Sequence, residues 1–267
     1  MNNLLLSVAI GDIGGSTYEF DPQTDYDLID LEADGSDYTD DSVCTFACAE
    51  SLLTGRDMGE SLWSHCRQDP NRGYGGRFRA WLYTTDYRPY NSFGNGSAMR
   101  CAAAAFLAGS EDDCLAKAEL TALPTHNHPE GIKGAQATAL AIYKLLHGAT
   151  IEDIRRDVLL KYYPAQNFSY DQIKPGFRFD ETCQHTVPAA LITFIDSTSF
   201  TDCLKKAVAL GGDADTLAAI AAPMAYAYFR EMPDSLVRQA KRLLPEWMLK
   251  INDEVDSQFA KIGSATT

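Results

Sequence analysis

Helical periodicity is the feature that most constrains the fold of this chain. Apolar residues recur at helical spacing along most of its 267 residues, strand-like alternation is scarce, and no long linker or tandem repeat interrupts the pattern. The sequence therefore predicts an all-α fold, with one compact multi-helix domain over residues 1–267. The predicted helices, with boundaries uncertain by a few residues, are 2–10, 40–54, 57–68, 75–83, 97–108, 111–122, 130–147, 151–160, 186–196, 199–210, 215–230, 234–243 and 246–260. The least regular stretches are 11–38, 84–96 and 161–185, and loops on a rigid scaffold usually carry the chemistry.

Composition and charge limit the partners of the chain. With 45% hydrophobic residues it has ample material for a core, and its net charge of −14 opposes binding to nucleic acid or to an anionic membrane. Seven cysteines at irregular spacing indicate reduced thiols, so we expect a cytoplasmic protein, and we also expect a monomer. Cys44 and Cys48 are expected in the core of one helix. The opening MNNLLLSVAI has no basic region and no cleavage site, and it predicts a buried helix leading into a loop.

The stretch GGDADTLAAI, residues 211–220, places two aspartates two residues apart before an alanine-rich helix. Helix capping explains one of them, because Asp213 or Asp215 can accept hydrogen bonds from N–H groups of the first turn. A second acid so close adds repulsion unless a cation lies between them. This segment alone favours the cap.

A second helix start has the same composition. In YTDDSVCTFACAESLL, Thr39, Asp40 and Asp41 stand directly before an amphipathic helix, so two helix starts each carry two acids and a threonine. Coincidence is then the weaker explanation. Oxygen ligands without histidine or cysteine suit magnesium or manganese better than zinc or copper. Four carboxylates would balance the charge of two divalent cations.

Six motifs in this order carry a family resemblance: GDIGGSTYE, YTDDS, NSFGNGSAMR, the TH of LPTHNHPEGIKGA, TVPAAL and GGDADTLAAI. The chain resembles the ADP-ribosylglycohydrolases over nearly its whole length. The resemblance implies an all-α fold with a cleft that holds two Mg²⁺ or Mn²⁺ ions, and cleavage of the glycosidic bond between ADP-ribose and an acceptor. By motif match, the implied metal ligands are Thr39, Asp40, Asp41, Asp213, Asp215 and Thr216.

NSFGNGSAMR is the candidate for binding ADP-ribose. Gly94 and Gly96 free the backbone to approach a ligand before a helix that begins near Ser97, and N–H groups from Gly94 to Ser97 can cradle a pyrophosphate. An ordinary glycine-rich turn is the alternative for this motif taken alone. The substrate-binding residues that the resemblance implies, together with that helix start, are Ser92, Phe93, Gly94, Asn95, Gly96, Ser97 and His126. His128 has no assigned role.

Glu19 is the candidate general base. Asp12 and Glu19 bracket GDIGGSTYE, which we expect to be a loop, and a solvated carboxylate is the ordinary interpretation of Glu19. The resemblance implies that Glu19 lies beside the metal centre, where it would act on the attacking water or orient the acceptor. Asp40 and Asp41 are competing catalytic candidates.

Three functions follow from these motifs. The first is a metal-dependent ADP-ribosyl hydrolase, in which carboxylates stabilise positive charge developing on the ribose and metal ions orient its hydroxyls and a water. The second is a non-catalytic ADP-ribose-binding or structural relative, because the family includes lens proteins without an established hydrolytic role. The third is a magnesium-dependent hydrolase of another nucleoside or phosphorylated ligand. Ala214, where many relatives have serine or threonine, predicts a weaker orientation of the neighbouring aspartates.

Overall fold

The structure is a computed structural model that describes residues 2–85 and 88–265, and all of its regular elements are helices. The helices are α1 Leu4–Gly15, α2 Asp40–Thr54, α3 Met58–Gln68, α4 Gly76–Leu82, α5 Gly96–Met99, α6 Ala102–Phe106, α7 Glu111–Ala122, α8 Pro129–Leu146, α9 Ile151–Ile154, α10 Leu160–Tyr162, α11 Tyr170–Ile173, α12 Cys183–Ile195, α13 Phe200–Ala209, α14 Ala214–Phe229, α15 Asp234–Leu243 and α16 Glu246–Ala265. Short 3₁₀ helices span Tyr26–Leu28 and Lys174–Gly176, and a π-helical segment spans Arg155–Leu159. Within the described ranges the one β-type pairing is an isolated bridge between Gly94 and Thr182. The all-α prediction is confirmed, while positions 86 and 87 of the irregular stretch 84–96 lie outside the described residues.

Local side-chain caps begin several of these helices. The Thr39 and Ser110 side chains accept N–H groups from Asp41 and Asp113, and Thr150 forms a complete capping box with Asp153. Such contacts satisfy N–H groups that have no partner within the helix. Because these caps involve residues two or three positions apart, the local sequence is enough to predict where the helices begin.

The centre of the molecule is the pair α1 and α14. Every residue of α1 is buried, and α14 is buried along almost its whole length. A Cβ atom at Gly11 would lie 2.3 Å from the Ala218 carbonyl oxygen, and one at Gly15 would lie 2.5 Å from the Cα atom of Asp215. The two backbones therefore approach as closely as glycine permits.

Two predicted boundaries are wrong for physical reasons. The segment GDIGG is not a loop, because α1 continues to Gly15 and its glycines provide the close contact with α14. The predicted helix 97–108 is divided into α5 and α6 at Arg100, which leaves the helical conformation with φ −101° and ψ 3°. At this break the buried Arg100 side chain donates a hydrogen bond of 3.0 Å from Nε to the Thr121 carbonyl oxygen.

All seven cysteines are buried free thiols, and Cys44 and Cys48 lie in the core on α2, as expected. Cys44 Sγ and Cys66 Sγ lie 3.7 Å apart. Within residues 2–85 and 88–265, no helix is both long and apolar enough to span a bilayer.

Candidate functional site

The starts of α2 and α14 meet beside α1 and bring carboxylates together in one cleft. Oxygens of Asp12, Asp41 and Asp215 lie within 4.8 Å of one another, and so do oxygens of Glu19, Asp213 and Asp215. The two groups share Asp215. We use the term carboxylate cluster for the set Asp12, Glu19, Asp40, Asp41, Asp213 and Asp215.

Asp12 holds the start of α2 against α1. Its Oδ2 accepts the backbone N–H of Thr39 at 2.9 Å and that of Ser42 at 3.0 Å, and it also accepts the Ser42 hydroxyl. Its Oδ1 accepts the Thr39 hydroxyl at 2.7 Å. Because four donors already bind this carboxylate, Asp12 is better suited to positioning α2 than to binding a cation.

Asp41 has an oxygen with no hydrogen-bond partner. Its Oδ2 accepts the Thr216 hydroxyl at 3.2 Å, which links the two helix starts. Its Oδ1 is buried and has no donor among the described residues. A buried carboxylate oxygen without a partner is costly in protein, so this oxygen is available to a cation.

Asp213 and Asp215 do not cap α14 in the ordinary way. Asp213 occupies the N-cap position, but its side chain accepts no N–H of the first turn, and Oδ2 instead accepts Asn95 Nδ2 at 2.7 Å. Asp215 Oδ1 accepts the N–H of the adjacent Thr216 at 2.9 Å. The Asp213 carboxyl group also contacts the side chains of Asp215 and Thr216, so the two acids of this helix start lie against each other in the cleft.

Asp40 lies at the wall of the cleft. Its backbone N–H donates to the Arg72 carbonyl oxygen at 2.6 Å, and its Oδ1 lies 3.4 Å from where a Cβ atom of Gly73 would stand. Asp40 is outside both carboxylate groups that share Asp215, although it lines the same cavity.

Burial raises the pKa of every carboxyl group in the carboxylate cluster. It raises the pKa of Asp12 to about 6, against the hydrogen bonds from Ser42 and Thr39 that lower it. The pKa values of Asp40, Asp41 and Asp215 lie well above the usual value, first through burial and then through neighbouring carboxylates, and the pKa of Asp213 is also raised by burial. Without a cation, the cluster therefore favours protonated carboxyl groups.

Glu19 is a half-buried member of the carboxylate cluster. Burial, followed by the negative charges of Asp213, Glu181 and Asp12, raises its pKa to about 7. Glu181, which the sequence motifs do not predict as a site residue, also lines the cavity. A carboxyl group with a pKa near neutrality can exchange a proton at physiological pH, which is the property required of a general base.

The second wall of the cleft is the segment 92–97, which we call the glycine turn. The N–H of Gly94 donates to Ser92 Oγ at 3.1 Å, and that of Asn95 donates to the Glu181 carbonyl oxygen at 2.7 Å. The expected N–H cradle is therefore limited to the N–H groups of Gly96 and Ser97, at the start of α5.

The other residues expected to bind substrate occupy different positions. Ser92, Gly94, Asn95, Gly96 and His126 line the cavity. The Ser97 side chain is fully buried and donates to the Gly131 carbonyl oxygen at 2.8 Å. Phe93 is 42% exposed and its ring contacts His128, whose Nδ1 accepts the Glu130 N–H at the start of α8.

Two arginines also line the cavity. Arg77 and Arg100 lie near enough to His126 for their charges to lower its pKa, and the Arg77 guanidinium is 4.9 Å from the centre of the Tyr90 ring. The cavity of about 380 Å³ is thus lined by both acidic and basic groups. This lining suits a ligand that carries both hydroxyl groups and an anionic group.

Sequence reasoning missed several residues of the cavity. Gly73, Gly75, Gly76, Arg77, Phe78 and Tyr90 all line it. The first five belong to RGYGGRF, whose three glycines before a helix were an available signal. Asp12 was noted only as the start of a supposed loop, since its partners Thr39 and Ser42 are distant in sequence.

Comparison with known proteins identifies the family. The model of the ADP-ribosylglycohydrolase family matches residues 2–264. The chain belongs to the ADP-ribosylglycohydrolase family. This ADP-ribosylglycohydrolase chain is 28% identical over 264 residues to mouse ADP-ribosylhydrolase ARH3, covering 74% of this chain and 71% of the mouse protein.

Two bacterial members are also similar to it. Identity is 27% over 251 residues to the ADP-ribosyl-[dinitrogen reductase] glycohydrolase of Rhodospirillum rubrum, covering 84% of this chain and 83% of that one. Identity is 26% over 288 residues to the ADP-ribosylarginine hydrolase Tri1 of Pseudomonas putida strain GB-1, covering 92% of this chain and 72% of that protein. A solved ADP-ribosylglycohydrolase-related protein complex contains a chain with the same fold, at a TM-score of 0.74 and 23% identity, covering 97% of this chain and 96% of that chain.

Proposed function

We propose that this ADP-ribosylglycohydrolase family member is a metal-dependent hydrolase that cleaves the glycosidic bond between ADP-ribose and an acceptor. The observation that carries the proposal is the gathering of the buried carboxylates Asp41, Asp213 and Asp215, with the unpartnered Asp41 oxygen, in a cavity that arginines also line. A structural relative would have no use for so many buried, partly unpaired acids.

The proposal places two Mg²⁺ or Mn²⁺ ions at the carboxylate cluster. The ligands would come from Thr39, Asp40, Asp41, Asp213, Asp215 and Thr216. The Thr39 and Thr216 hydroxyls donate to Asp12 and Asp41, which leaves oxygen lone pairs for a cation. When bound, such ions would supply positive charge that orients hydroxyl groups and lowers the pKa of a water molecule.

The protein's own residues would supply the charge stabilisation and the proton transfer that the reaction needs. As the acceptor leaves, positive charge develops on the ribose, and the carboxylate cluster stabilises it. Glu19, whose pKa is raised to about 7, takes the proton of the attacking water. The water oxygen forms a bond to the anomeric carbon while the bond to the acceptor breaks, and the proton that Glu19 took passes to the leaving acceptor, directly or through solvent, which restores the Glu19 carboxylate.

The glycine turn and Arg77 would hold the diphosphate of ADP-ribose. The N–H groups of Gly96 and Ser97 and the Arg77 guanidinium offer hydrogen-bond donors to phosphate oxygens. The ribose attached to the acceptor then lies toward the carboxylate cluster. The relatives include an ADP-ribosylarginine hydrolase and an ADP-ribosyl-[dinitrogen reductase] glycohydrolase, so we propose an ADP-ribosylated protein as the substrate class.

A panel of substrates tests the proposal. Peptides carrying ADP-ribose on arginine or on serine are incubated with the protein in Mg²⁺, in Mn²⁺ or in EDTA, and products are identified by mass spectrometry. We expect free ADP-ribose and unmodified peptide with a divalent cation and neither product in EDTA. Asp171→Asn, at an exposed position away from the cleft, serves as the control variant.

Two outcomes would overturn this function. Cleavage of the diphosphate would indicate a hydrolase of another phosphorylated ligand. Binding of ADP-ribose without turnover of any substrate would indicate a non-catalytic relative.

A further inference from the structure

Arg100 is a fully buried arginine that is bound by uncharged oxygens. Its Nε and one terminal nitrogen donate to the Thr121 carbonyl oxygen at 3.0 and 2.8 Å, and that terminal nitrogen also donates to Thr125 Oγ1 at 2.7 Å. A buried guanidinium held in this way has a defined orientation.

The Thr125 hydroxyl connects Arg100 to His126. Thr125 Oγ1 lies 2.7 Å from His126 Nδ1. Because a guanidinium can only donate, Thr125 Oγ1 accepts from Arg100, and its single proton is free to be donated to Nδ1. An Nδ1 that accepts this proton carries no hydrogen of its own, so the hydrogen of a neutral imidazole lies on Nε2.

The Nε2 atom of His126 points to the glycine turn. A Cβ atom at Gly96 would lie 3.0 Å from Nε2, and one at Gly94 would lie 3.4 Å from it. Over residues 2–85 and 88–265 the structure gives Nε2 no hydrogen-bond partner, and His126 lines the cavity. Burial, followed by the positive charges of Arg100 and Arg77, lowers the pKa of His126 well below its usual value, so the ring is neutral at pH 7.

We propose that Arg100 and Thr125 are positioning residues that hold neutral His126 in the Nε2–H form and direct this N–H at a ligand oxygen above the glycine turn. The identity of that ligand, ADP-ribose, rests on the proposed function. The hydrogen-bond chain itself is a property of the free protein, so it can be tested without a ligand.

Nitrogen NMR of the histidine rings directly tests the hydrogen bonds that link Arg100, Thr125 and His126. In the wild type at pH 7.5 we expect a His126 Nδ1 with the chemical shift of an unprotonated imidazole nitrogen and a protonated Nε2. Thr125→Val keeps the side-chain shape and removes the hydroxyl, and it should move the Nδ1 signal toward the average of the two tautomers. Thr125→Ser retains the hydroxyl and should restore the wild-type signal.

Thr121→Val is the matched control. This buried threonine lies on α7, its hydroxyl donates to the Ala118 carbonyl oxygen at 2.7 Å, and its backbone carbonyl oxygen remains available to Arg100 after substitution. The His126 signals should therefore equal those of the wild type.

Calorimetric titration with ADP-ribose then relates the chain to binding. Thr125→Val should raise the Kd roughly three- to tenfold, the effect of losing one oriented hydrogen bond, while Thr125→Ser and Thr121→Val leave it within twofold. A protonated Nδ1 in the wild type, or Thr125→Val spectra and Kd equal to those of the wild type, would overturn the inference. Absence of ADP-ribose binding by the wild type would overturn the proposed function, and the NMR spectra would still decide the hydrogen-bond chain.

Discussion

Asn95 Nδ2 donates a hydrogen bond of 2.7 Å to Asp213 Oδ2, and this contact joins the glycine turn to the carboxylate cluster. The same amide nitrogen donates to Thr186 Oγ1 at 3.1 Å on α12. Asn95 is buried, and its backbone N–H is bound to the Glu181 carbonyl oxygen. The position of the Asp213 carboxylate is therefore coupled to the wall that would hold the diphosphate.

Removing the Asn95 amide should weaken the metal site. In Asn95→Ala, Asp213 loses the donor that orients its carboxylate, and we expect the affinity for Mg²⁺ or Mn²⁺ to fall about ten- to a hundredfold, as for other partners of metal ligands. The dependence of Tm on the concentration of the cation measures this affinity. Asn167→Ala, at an exposed position, is the control, and an unchanged dependence in Asn95→Ala would contradict the prediction.

Asp215→Asn should separate cation binding from helix capping. In EDTA, the variant replaces a buried carboxyl group, whose ionisation its acidic neighbours oppose, with a neutral amide, so Tm should rise or stay unchanged. The stabilisation that millimolar Mg²⁺ gives the wild type should shrink in the variant, and activity should fall sharply. A cap would behave differently: the variant would lose about 1 kcal/mol of stability with or without the cation.

Glu19→Gln should lower the turnover number by about a hundredfold or more, since the amide cannot accept the proton of the attacking water. We expect the rise in Tm with Mg²⁺ to be retained, because Glu19 is assigned to proton transfer and not to cation binding. Steady-state kinetics and melting curves on the same preparation measure the two effects. Unchanged turnover would exclude Glu19 from the mechanism.

Gly96→Ala should weaken ADP-ribose binding through His126. The added methyl group would lie 3.0 Å from Nε2 and 3.1 Å from Cε1 of His126, so the ring has to move from the glycine turn. We expect the Kd for ADP-ribose to rise about tenfold, as for loss of one or two oriented hydrogen bonds, and the larger Gly96→Val to have a stronger effect. Gly109→Ala is the matched control, since a Cβ atom there would meet nothing within 4 Å. Equal affinity in Gly96→Ala and the wild type would place the ligand elsewhere.

The stability of the cation-free protein should fall as pH rises from 6.5 to 8.5. The folded-state pKa of Glu19 is raised to about 7 from 4.5, and those of Asp40, Asp41 and Asp215 lie well above 3.8. A raised pKa in the folded state stabilises the fold below the unfolded pKa and loses this contribution as pH passes through the folded value. His126 does not change the pH dependence of stability between pH 6.5 and 8.5, because its lowered pKa affects stability only at lower pH.

Melting curves at several pH values in EDTA check this sign. We expect Tm to decline across the window, Mg²⁺ to offset the decline, and Glu19→Gln to show a shallower decline than the wild type. A Tm in EDTA that rises with pH would contradict the prediction.

The sequence by itself determined the helical architecture and the two acid-bearing helix starts. The caps Thr39 and Ser110 act on N–H groups two or three residues away, and apolar periodicity identifies the buried face of each helix, so both are local properties. The ordered motifs were also sufficient to predict the family, which the match over residues 2–264 confirms.

Only the tertiary structure decided which distant groups share the cleft. Gly11 and Gly15 were interpreted as part of a loop, yet they let α1 contact α14 and so bring Asp12 to Asp215. The hydrogen bonds that link Arg100 through Thr125 to His126 likewise depend on the packing of α5, α6 and α7 around the buried Arg100 guanidinium. Such contacts follow from close packing between helices far apart in sequence, and no local pattern of residues specifies them.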